Sequence, residues 1–387
     1  MYKIELKKKT DASLFGKERF FSVYFLICML AVLLFNNSCV TPITLDITEA
    51  PDKLVVEGWI TDNPGPYEVR LTLTAKYSLG HLGVNEGVEG ATVSIIDNQG
   101  KEAFLEGKGL GFYHTREDEI QGEIGNSYKL RIKIGEKVYE SKGETILKAP
   151  EIDNIYYEYK DSTIFYDDGF YTYVDFKDQK DQENYYQWSW KRYQERFDCG
   201  VVPDDHLVRH WRGKTKICCT PCYDIRECTE CLNIFSDQHF QGQDIIGRLV
   251  TVYPYDGRQK VVLEVIQQSI SKEAYVYFNS VIQQNKNSGN VFDTPPFPIK
   301  GNITNVNDPN EDVLGFFGAA GESHSFILLN RTEVIRPPLT NYDFNRPVCG
   351  GNCGTPEEPR CCPPCGGCEE NGPIINTPEE VKILLRN

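Results

Sequence analysis

The chain has 387 residues, of which 40% are hydrophobic and 25% are charged, and it carries 14 cysteines. This composition is typical of a globular protein of two or three domains and excludes a chain that is disordered throughout. The formal net charge of −15 argues against a nucleic-acid-binding protein, because such a protein needs a basic surface to neutralise phosphates. Frequent glycine, proline and tyrosine, with only two methionines, favour strands and turns over long helices.

The first 39 residues have the pattern of a bacterial lipoprotein signal peptide. Six basic residues accompany an uncharged, largely apolar segment at 20–35, which is somewhat short for a membrane-spanning helix. We expect cleavage before Cys39 and lipid, including palmitate, on its thiol, because the small residue Ser38 precedes it. Asn36 stands where such signals usually carry an aliphatic residue, so plain secretion and an uncleaved anchor are the alternatives. Removal of residues 1–39 changes the net charge to −18.

Residues 40–150 predict an immunoglobulin-like β-sandwich. Short segments in which apolar and polar residues alternate recur between turn signals, most clearly at 67–73 and 128–134. Six to seven such strands in about a hundred residues fit this kind of sandwich. The fold alone predicts no chemistry.

Residues 151–346 predict a second β-rich domain with one helix. Strands are expected at 172–176, 185–193, 246–254, 260–268, 313–318 and 324–329. Ser271 is a suitable N-cap, and apolar residues at helical spacing predict a helix near 272–287 that Gly289 ends. The predicted fold class is therefore mainly β, with a cysteine-rich insertion at 199–231.

Twelve of the cysteines form two clusters of six. The insertion contains Cys199, Cys218, Cys219, Cys222, Cys228 and Cys231. The Gly- and Pro-rich tail at 347–387 contains Cys349, Cys353, Cys361, Cys362, Cys365 and Cys368. We expect disulfides, because an exported chain matures where thiols are oxidised. Zinc binding and a redox-active Cys-x-x-Cys are the alternatives, and one hypothesis joins both clusters into a single cross-linked knob.

The tail ends in a capping box at 377–380 followed by apolar residues, which predicts a short C-terminal helix. Such a helix is marginal alone in water. It docks on the protein itself, docks on a partner, or frays.

The sequence contains no motif of a hydrolase, a metalloprotease or a nucleotide-binding loop, so we expect no catalytic residues, no metal and no cofactor. The aromatic residues Tyr185, Trp188 and Trp190 are candidates for a carbohydrate- or peptide-binding platform. Their alternative role is in the core of a strand.

A series of short motifs resembles a known family. Cys39 is followed by Leu54–Asp62, Gly90–Val93, Gly111–Tyr113, Gly125–Leu130, Asn184–Tyr186, Gly301–Ile303 and Val313–Ala319. In this order, over about residues 39–330, they resemble the family called domain of unknown function 4249, found in Bacteroidota-type Gram-negative bacteria. The resemblance implies an outer-membrane lipoprotein, often encoded beside a TonB-dependent receptor. It assigns no catalytic residues to this chain, because none are established for the family.

We therefore expect a lipoprotein of the outer membrane that works by binding, as a non-catalytic accessory subunit of a TonB-dependent transporter or envelope assembly. The lipid anchor is its expected contact with the membrane, and an anchor in either leaflet of the outer membrane fits the sequence. A structural or adhesive envelope protein is the second hypothesis, and an unrecognised hydrolase of glycans or peptides is the third.

Overall fold

The computed structural model describes the chain from residue 52 onward, with gaps. The described residues are 52–74, 85–163, 167–180, 183–201, 209–211, 214–229, 231–238, 242–286, 298–335 and 378–386. Only the backbone is described at 195–201, 209–211, 214–223 and 386. The predicted signal segment, the predicted lipid-attachment residue Cys39 and the tail cysteines lie outside the described residues.

Strands dominate the described residues, which confirms the mainly β fold class. In chain order they are β1 (Leu54–Thr61), β2 (Glu68–Leu73), β3 (Glu86–Gly87), β4 (Thr92–Asp97), β5 (Glu102–Gly109), β6 (Phe112–His114), β7 (Ser127–Ile134), β8 (Lys137–Ser141), β9 (Glu144–Thr145), β10 (Ile152–Lys160), β11 (Gly169–Lys177), β12 (Tyr185–Val201), β13 (Arg209–Trp211), β14 (Lys214–Glu227), β15 (Asn233–Ser236), β16 (Asp244–Tyr253), β17 (Val261–Ile270), β18 (Ile303–Asn305) and β19 (Leu314–Leu329). The described helices are α1 (Lys272–Lys286), the 3₁₀ turn Arg331–Glu333 and α2 (Glu379–Arg386).

The first half of the described chain is a β-sandwich. Strands β1, β2, β6 and part of β5 form one sheet, and β4, β7, β8 and the rest of β5 form the other. Along each strand, alternate side chains point into the space between the sheets and fill it. On β7, Leu130 and Ile132 are buried, whereas Arg131 points outward and pairs with Glu140 at 2.7 Å.

Two late segments complete this first sandwich. Strand β18 pairs with β8, and the first half of β19 pairs in parallel with β1, so that Val56 lies opposite Gly315. Ile303 and Phe317 belong to the same buried cluster as Leu71 and Leu130. The core of the sandwich is therefore not built from residues 40–150 alone. The sequence analysis could not show this, because a local alternation pattern does not reveal strands that pair across about 250 residues.

The second half forms another pair of packed sheets. The three-stranded sheet β10–β11–β16 packs on the sheet that contains β12, β17 and the second half of β19. Aromatic contacts fill the space between them, including Phe176 with Trp188 at 5.8 Å and Trp190 with Tyr253 at 5.9 Å between ring centroids.

The two described helices contact the opposite face of the β12–β17–β19 sheet. Helix α1 matches the predicted helix, since Ser271 Oγ accepts a hydrogen bond from the Ala274 amide at 3.1 Å, and Ala274 packs near Phe316. Helix α2 buries Val381 against Val262 of β17. Of the three expectations for the C-terminal helix, the structure shows docking on the protein itself.

The two strands predicted at 313–318 and 324–329 form one continuous strand, β19. The small residues between them do not end the strand, because it changes partners there: Ala320 lies opposite Thr61 of β1, and Gly321 lies opposite Ser269 of β17. The same strand thereby joins both pairs of sheets.

Cys228 and Cys231 of the insertion are joined by a disulfide. Strands β14 and β15 both pair with β12, with Glu227 opposite Lys191 and Asn233 opposite Trp188. The disulfide lies between these two pairings, so in this structure its two sulfurs are not available to a zinc ion. The side chains of the other ten cysteines in the two clusters lie outside the described residues, so their pairing stays a prediction.

Candidate functional site

An aromatic groove lies at one end of the space between the three-stranded sheet and the β17–β19 sheet. We call it the tyrosine groove. It has a volume of about 440 Å³ and is lined by Tyr157, Tyr159, Asp161, Phe170, Asn330, Glu333, Val334 and Ile335. A volume of this size suits a small ligand.

The groove's aromatic side is set by strand register. Tyr157 and Tyr159 are two residues apart on β10 and therefore point to the same face, and Tyr159 lies opposite Phe170 of β11. The ring of Phe170 lies 5.8 Å from that of Tyr157 and 5.1 Å from that of Tyr159, at interplanar angles of 64° and 52°. The three rings thus form a corner rather than a flat platform.

The opposite wall is the 3₁₀ turn that follows β19. Asn330 begins this turn: its amide donates to Tyr157 Oη at 3.2 Å, and its side-chain oxygen accepts from the Thr332 amide. The fully buried Arg331 anchors the turn from below, because its Nε donates to the Gln259 carbonyl at 2.7 Å and its guanidinium pairs with Asp256. This arrangement places Glu333 and Val334 at the groove.

Two carboxylates line the groove. Asp161 accepts a hydrogen bond from Tyr159 Oη at 3.1 Å, and Glu333 accepts one from Asn330 Nδ2 at 2.6 Å. The groove therefore offers aromatic rings and carboxylates to a ligand, and its described lining residues include no nucleophile with an adjacent base.

The aromatic residues proposed from the sequence do not form one platform. Trp188 is fully buried and donates from Nε1 to Gln267 at 2.9 Å, so it belongs to the core. Trp190 packs in the interior against Tyr253. Tyr185 points to the other face of β12, next to Tyr275 of α1 at 4.9 Å. Trp188 and Trp190 fill the space between the two sheets, and their spacing in the sequence is the same as that of aromatic residues on a surface.

The groove residues Tyr157 and Tyr159 were missed by the sequence analysis. Strand β10 carries aromatic rings on both faces, since Tyr156 stacks on Tyr173 at 5.3 Å on the outer side. Apolar–polar alternation is therefore absent, although the aromatic and β-branched content of 152–160 was a usable signal for a strand.

Comparison with known proteins gives one result that bears on identity. The profile described as "Domain of unknown function (DUF4249)" matches residues 40–325, which is well over half of the chain. The protein belongs to the DUF4249 family. No curated protein matches it.

A second cavity in this DUF4249 protein contains three glutamates. This glutamate cavity, of about 460 Å³, is lined by Glu144, Glu183 and Glu273 together with Tyr185 and Lys272. Burial raises the pKa of Glu144, whereas hydrogen bonds from Tyr185 Oη (2.7 Å) and Lys272 Nζ (3.2 Å) lower the pKa of Glu183. Carboxylates with pKa values pushed apart are a pattern of acid–base catalysis.

Glu144 also has a structural partner. Its Oε1 accepts a hydrogen bond from Asn302 Nδ2 at 3.1 Å, and the same amide group donates to the Phe317 carbonyl at 2.7 Å. The side chain of Asn302 thereby ties β9 to β19, and Glu144 is part of that connection.

The DUF4249 chain also contains a charged cluster on β17 and β19. His324 Nδ1 lies 2.7 Å from Glu264 Oε1, and its Nε2 lies 3.3 Å from Glu322 Oε2. Burial opposes the charge on the ring, but the hydrogen bonds to both carboxylates outweigh it and raise the pKa of His324 to about 9. The imidazole is therefore a cation at neutral pH, held between two carboxylates.

Among the described residues there is no group of three or more histidine, cysteine or acidic side chains placed to hold a metal ion. In the same part of the chain, no helix has the length and apolar character needed to cross a bilayer.

Proposed function

We propose that this DUF4249 protein is an outer-membrane-anchored lipoprotein that acts as a non-catalytic binding subunit of a TonB-dependent transporter or a related envelope assembly. The observation that carries the proposal is the tyrosine groove, an open aromatic site on a scaffold whose other large aromatic side chains mostly fill the core. Binding through a preformed groove needs no catalytic group.

The amino-terminal sequence supports the tether. Its basic, apolar and Ser38-Cys39 segments match the order of a lipoprotein signal, and acyl chains insert at about 0.8 kcal/mol per buried methylene. The acidic body, with a net charge of −18 after removal of 1–39, stays soluble beside an anionic membrane surface. The partner is proposed from the motif resemblance described above.

Affinity purification from membranes in mild detergent, followed by mass spectrometry, tests the accessory role. We expect an outer-membrane β-barrel protein to co-purify with the wild type at near-stoichiometric yield. Reproducible absence of such a partner would contradict the accessory role and favour a structural or adhesive envelope protein.

Metabolic labelling with a palmitate analogue tests the tether independently. We expect label and membrane fractionation in the wild type and loss of both in Cys39→Ser. Cys28→Ser is the matched control, since the residue before Cys28 is the large Ile27, and it is expected to label as the wild type does. Label that persists in Cys39→Ser would refute this attachment site.

The glutamate cavity favours a second candidate function, hydrolysis of glycans or peptides. Glu144, with its raised pKa, is placed as a general acid, and Glu183, with its lowered pKa, as a base or nucleophile. If the purified protein turns over such substrates, Glu183→Gln should lower the rate by about 100-fold or more, and the exposed control Glu136→Gln should not. No turnover, or turnover that Glu183→Gln leaves unchanged, would exclude this function for the cavity.

A further inference from the structure

We propose that the outer face of the three-stranded sheet binds a β-linked glucan, with pyranose rings packed on Tyr156 and Tyr173 and with hydroxyl groups bonded to the polar side chains beside them. Because side chains alternate along β10, this face lies on the opposite side of the sheet from the tyrosine groove. The proposal therefore goes beyond the function proposed for the groove. It draws on an aromatic row, its polar borders and the fixed positions of both.

One row of apolar and aromatic side chains crosses all three strands. Tyr156 of β10 lies opposite Tyr173 of β11, and Tyr173 lies opposite Leu249 of β16. Val174 and Val250, the next residues in sequence, are buried in the core, so the row belongs to the outer face. Neighbouring strands lie about 4.8 Å apart, so the row spans about 10 Å, the length of a disaccharide.

The two tyrosine rings offer a surface on which a sugar ring packs. They are nearly parallel, with centroids 5.3 Å apart and an interplanar angle of 23°. Both side chains are only half-buried, and Leu249 beside them is 36% exposed. The face of an aromatic ring is negative and attracts the weakly positive C–H groups of a pyranose. In a β-linked glucan the hydroxyl groups are equatorial, so both faces of each sugar present C–H groups and the chain runs straight.

Polar side chains border the row on both sides. Asp175 and Asn154 lie opposite each other on one side of it, and Glu158 and Lys160 follow on the other side along β10. Carboxylate, amide and ammonium groups supply the acceptors and donors that bond to hydroxyl groups at the edge of a sugar ring. The central part of a protein–protein interface is instead depleted of charged residues, so this narrow, charge-bordered row favours a glycan over a protein partner.

The polar borders are held in place before a ligand arrives. Asp175 accepts hydrogen bonds from the Gly247 amide at 2.7 Å and from Asn154 Nδ2 at 3.1 Å, one on each carboxylate oxygen. Each of these oxygens has capacity for a second hydrogen bond. Lys160 Nζ donates to Tyr173 Oη at 2.9 Å, which links the other border to the aromatic row. Side chains that are already fixed lose less conformational entropy when a ligand binds.

Two tetrasaccharides of glucose test the ligand class on the protein purified from membranes in a mild detergent without a sugar head group. Cellotetraose is β-linked and straight, whereas maltotetraose joins the same sugars through α-linkages and curves. We expect cellotetraose to bind in the millimolar range or tighter by titration calorimetry, and maltotetraose to bind at least about fivefold more weakly. Methyl NMR signals of Leu249 should shift as cellotetraose is added, and those of Ile383, exposed on α2, should not.

Substitutions locate the binding. Tyr156→Ala removes a ring and should weaken cellotetraose binding about tenfold, whereas Tyr156→Phe keeps the ring and should stay within about threefold of the wild type. Asp175→Asn keeps an oxygen for the Gly247 amide but loses the charge, and it should weaken binding about threefold. Phe104→Ala is the matched control, because Phe104 is an aromatic residue 49% exposed on β5 of the first sandwich. It should bind as the wild type does, and circular dichroism should show that the variants are folded.

Each outcome decides the proposal. No binding of cellotetraose, equal affinity for the two tetrasaccharides, or cellotetraose binding that Tyr156→Ala leaves unchanged would each overturn it. If Tyr156→Ala does not fold, the wild-type NMR signals decide instead: a shift at Leu249 without one at Ile383 supports the site, and no shift at Leu249 excludes it. Co-purification of a membrane partner tests the accessory role separately from all of these results.

Discussion

At the scale of single residues, the ionisation of His324 couples the stability of the protein to pH. Its ring lies between Glu264 and Glu322, and those two carboxylates raise its pKa to about 9, while its presence helps to lower theirs. Other polar and charged groups face this cluster from neighbouring segments: Asp62, Asn63, Lys191, Tyr193, Glu227 and Gln268.

The sign of the pH dependence follows from the direction of these shifts. Because the folded pKa of His324 lies above its ordinary value of 6.5, the stabilisation is fully present below about pH 6.5 and is lost as the pH rises through 9. The lowered pKa values of Glu264 and Glu322 act at the acid end, where stability is lost as these carboxylates become protonated. We therefore expect the free energy of unfolding, measured in urea, to fall between pH 6.5 and 9.5.

His324→Gln isolates the contribution of this residue. The variant leaves two carboxylates facing each other without their cation, so we expect it to lose about 2 kcal/mol at pH 6.5 and to show a flatter profile up to pH 9.5. His114→Gln, at the surface pair with Glu68, is the control and should keep the wild-type slope. A His324→Gln profile as steep as that of the wild type would contradict this assignment.

At the scale of elements, helix α2 shows how a marginal segment is held in place. Eight residues do not form a stable helix alone in water, so its stability must come from packing on the sheet, where Val381 is the fully buried residue and Leu384 and Leu385 pack beside it. We expect Val381→Asp to speed amide exchange in residues 379–386 by about 30-fold, the factor that corresponds to ~2 kcal/mol of lost burial.

Ile383 on the same helix provides the matched control. Its side chain is 53% exposed, so Ile383→Asp should leave the exchange rates within about threefold of the wild type. Equal acceleration in both variants would mean that charge on the helix, and not the buried contact, sets its stability.

Local patterns predict elements most directly where one face is polar, although β17, which is buried on both faces, was also predicted. Strands β2 and β7 alternate apolar and polar residues and were predicted, as was α1 with its cap at Ser271. Strand β10, with aromatic rings on both faces, was not. The groove was inaccessible to such reasoning for a further reason: its walls come from β10 and from the 330–335 segment, which only the tertiary fold brings together.

At the scale of the whole molecule, β19 is shared by both pairs of sheets. Its first half pairs with β1 and its second half with β17. Gly315 lies in this strand at φ +92°, and a Cβ there would collide with the carbonyl of Val56. Any other residue at this position would carry both a steric and a conformational cost.

We therefore expect Gly315→Ala to destabilise the protein by about 2 kcal/mol or more and to affect both halves equally. Methyl NMR signals of Leu130, in the first core, and Val265, in the second, should report the same shift in unfolding midpoint. If the variant does not fold, urea unfolding of the wild type should still give coincident midpoints at the two sites. A lower midpoint at Leu130 alone would show that the halves unfold independently.

The claim that the tyrosine groove is the binding surface is tested most directly by photo-crosslinking in intact cells. A photoreactive residue replaces Ile335, which is 97% exposed at the groove, or Leu110, which is 80% exposed on the first sandwich, as a matched control. Mass spectrometry of the purified protein then identifies what each position captures. We expect a discrete adduct from position 335 that position 110 does not give, whereas equal adducts from both positions, or an adduct from position 110 alone, would contradict the account.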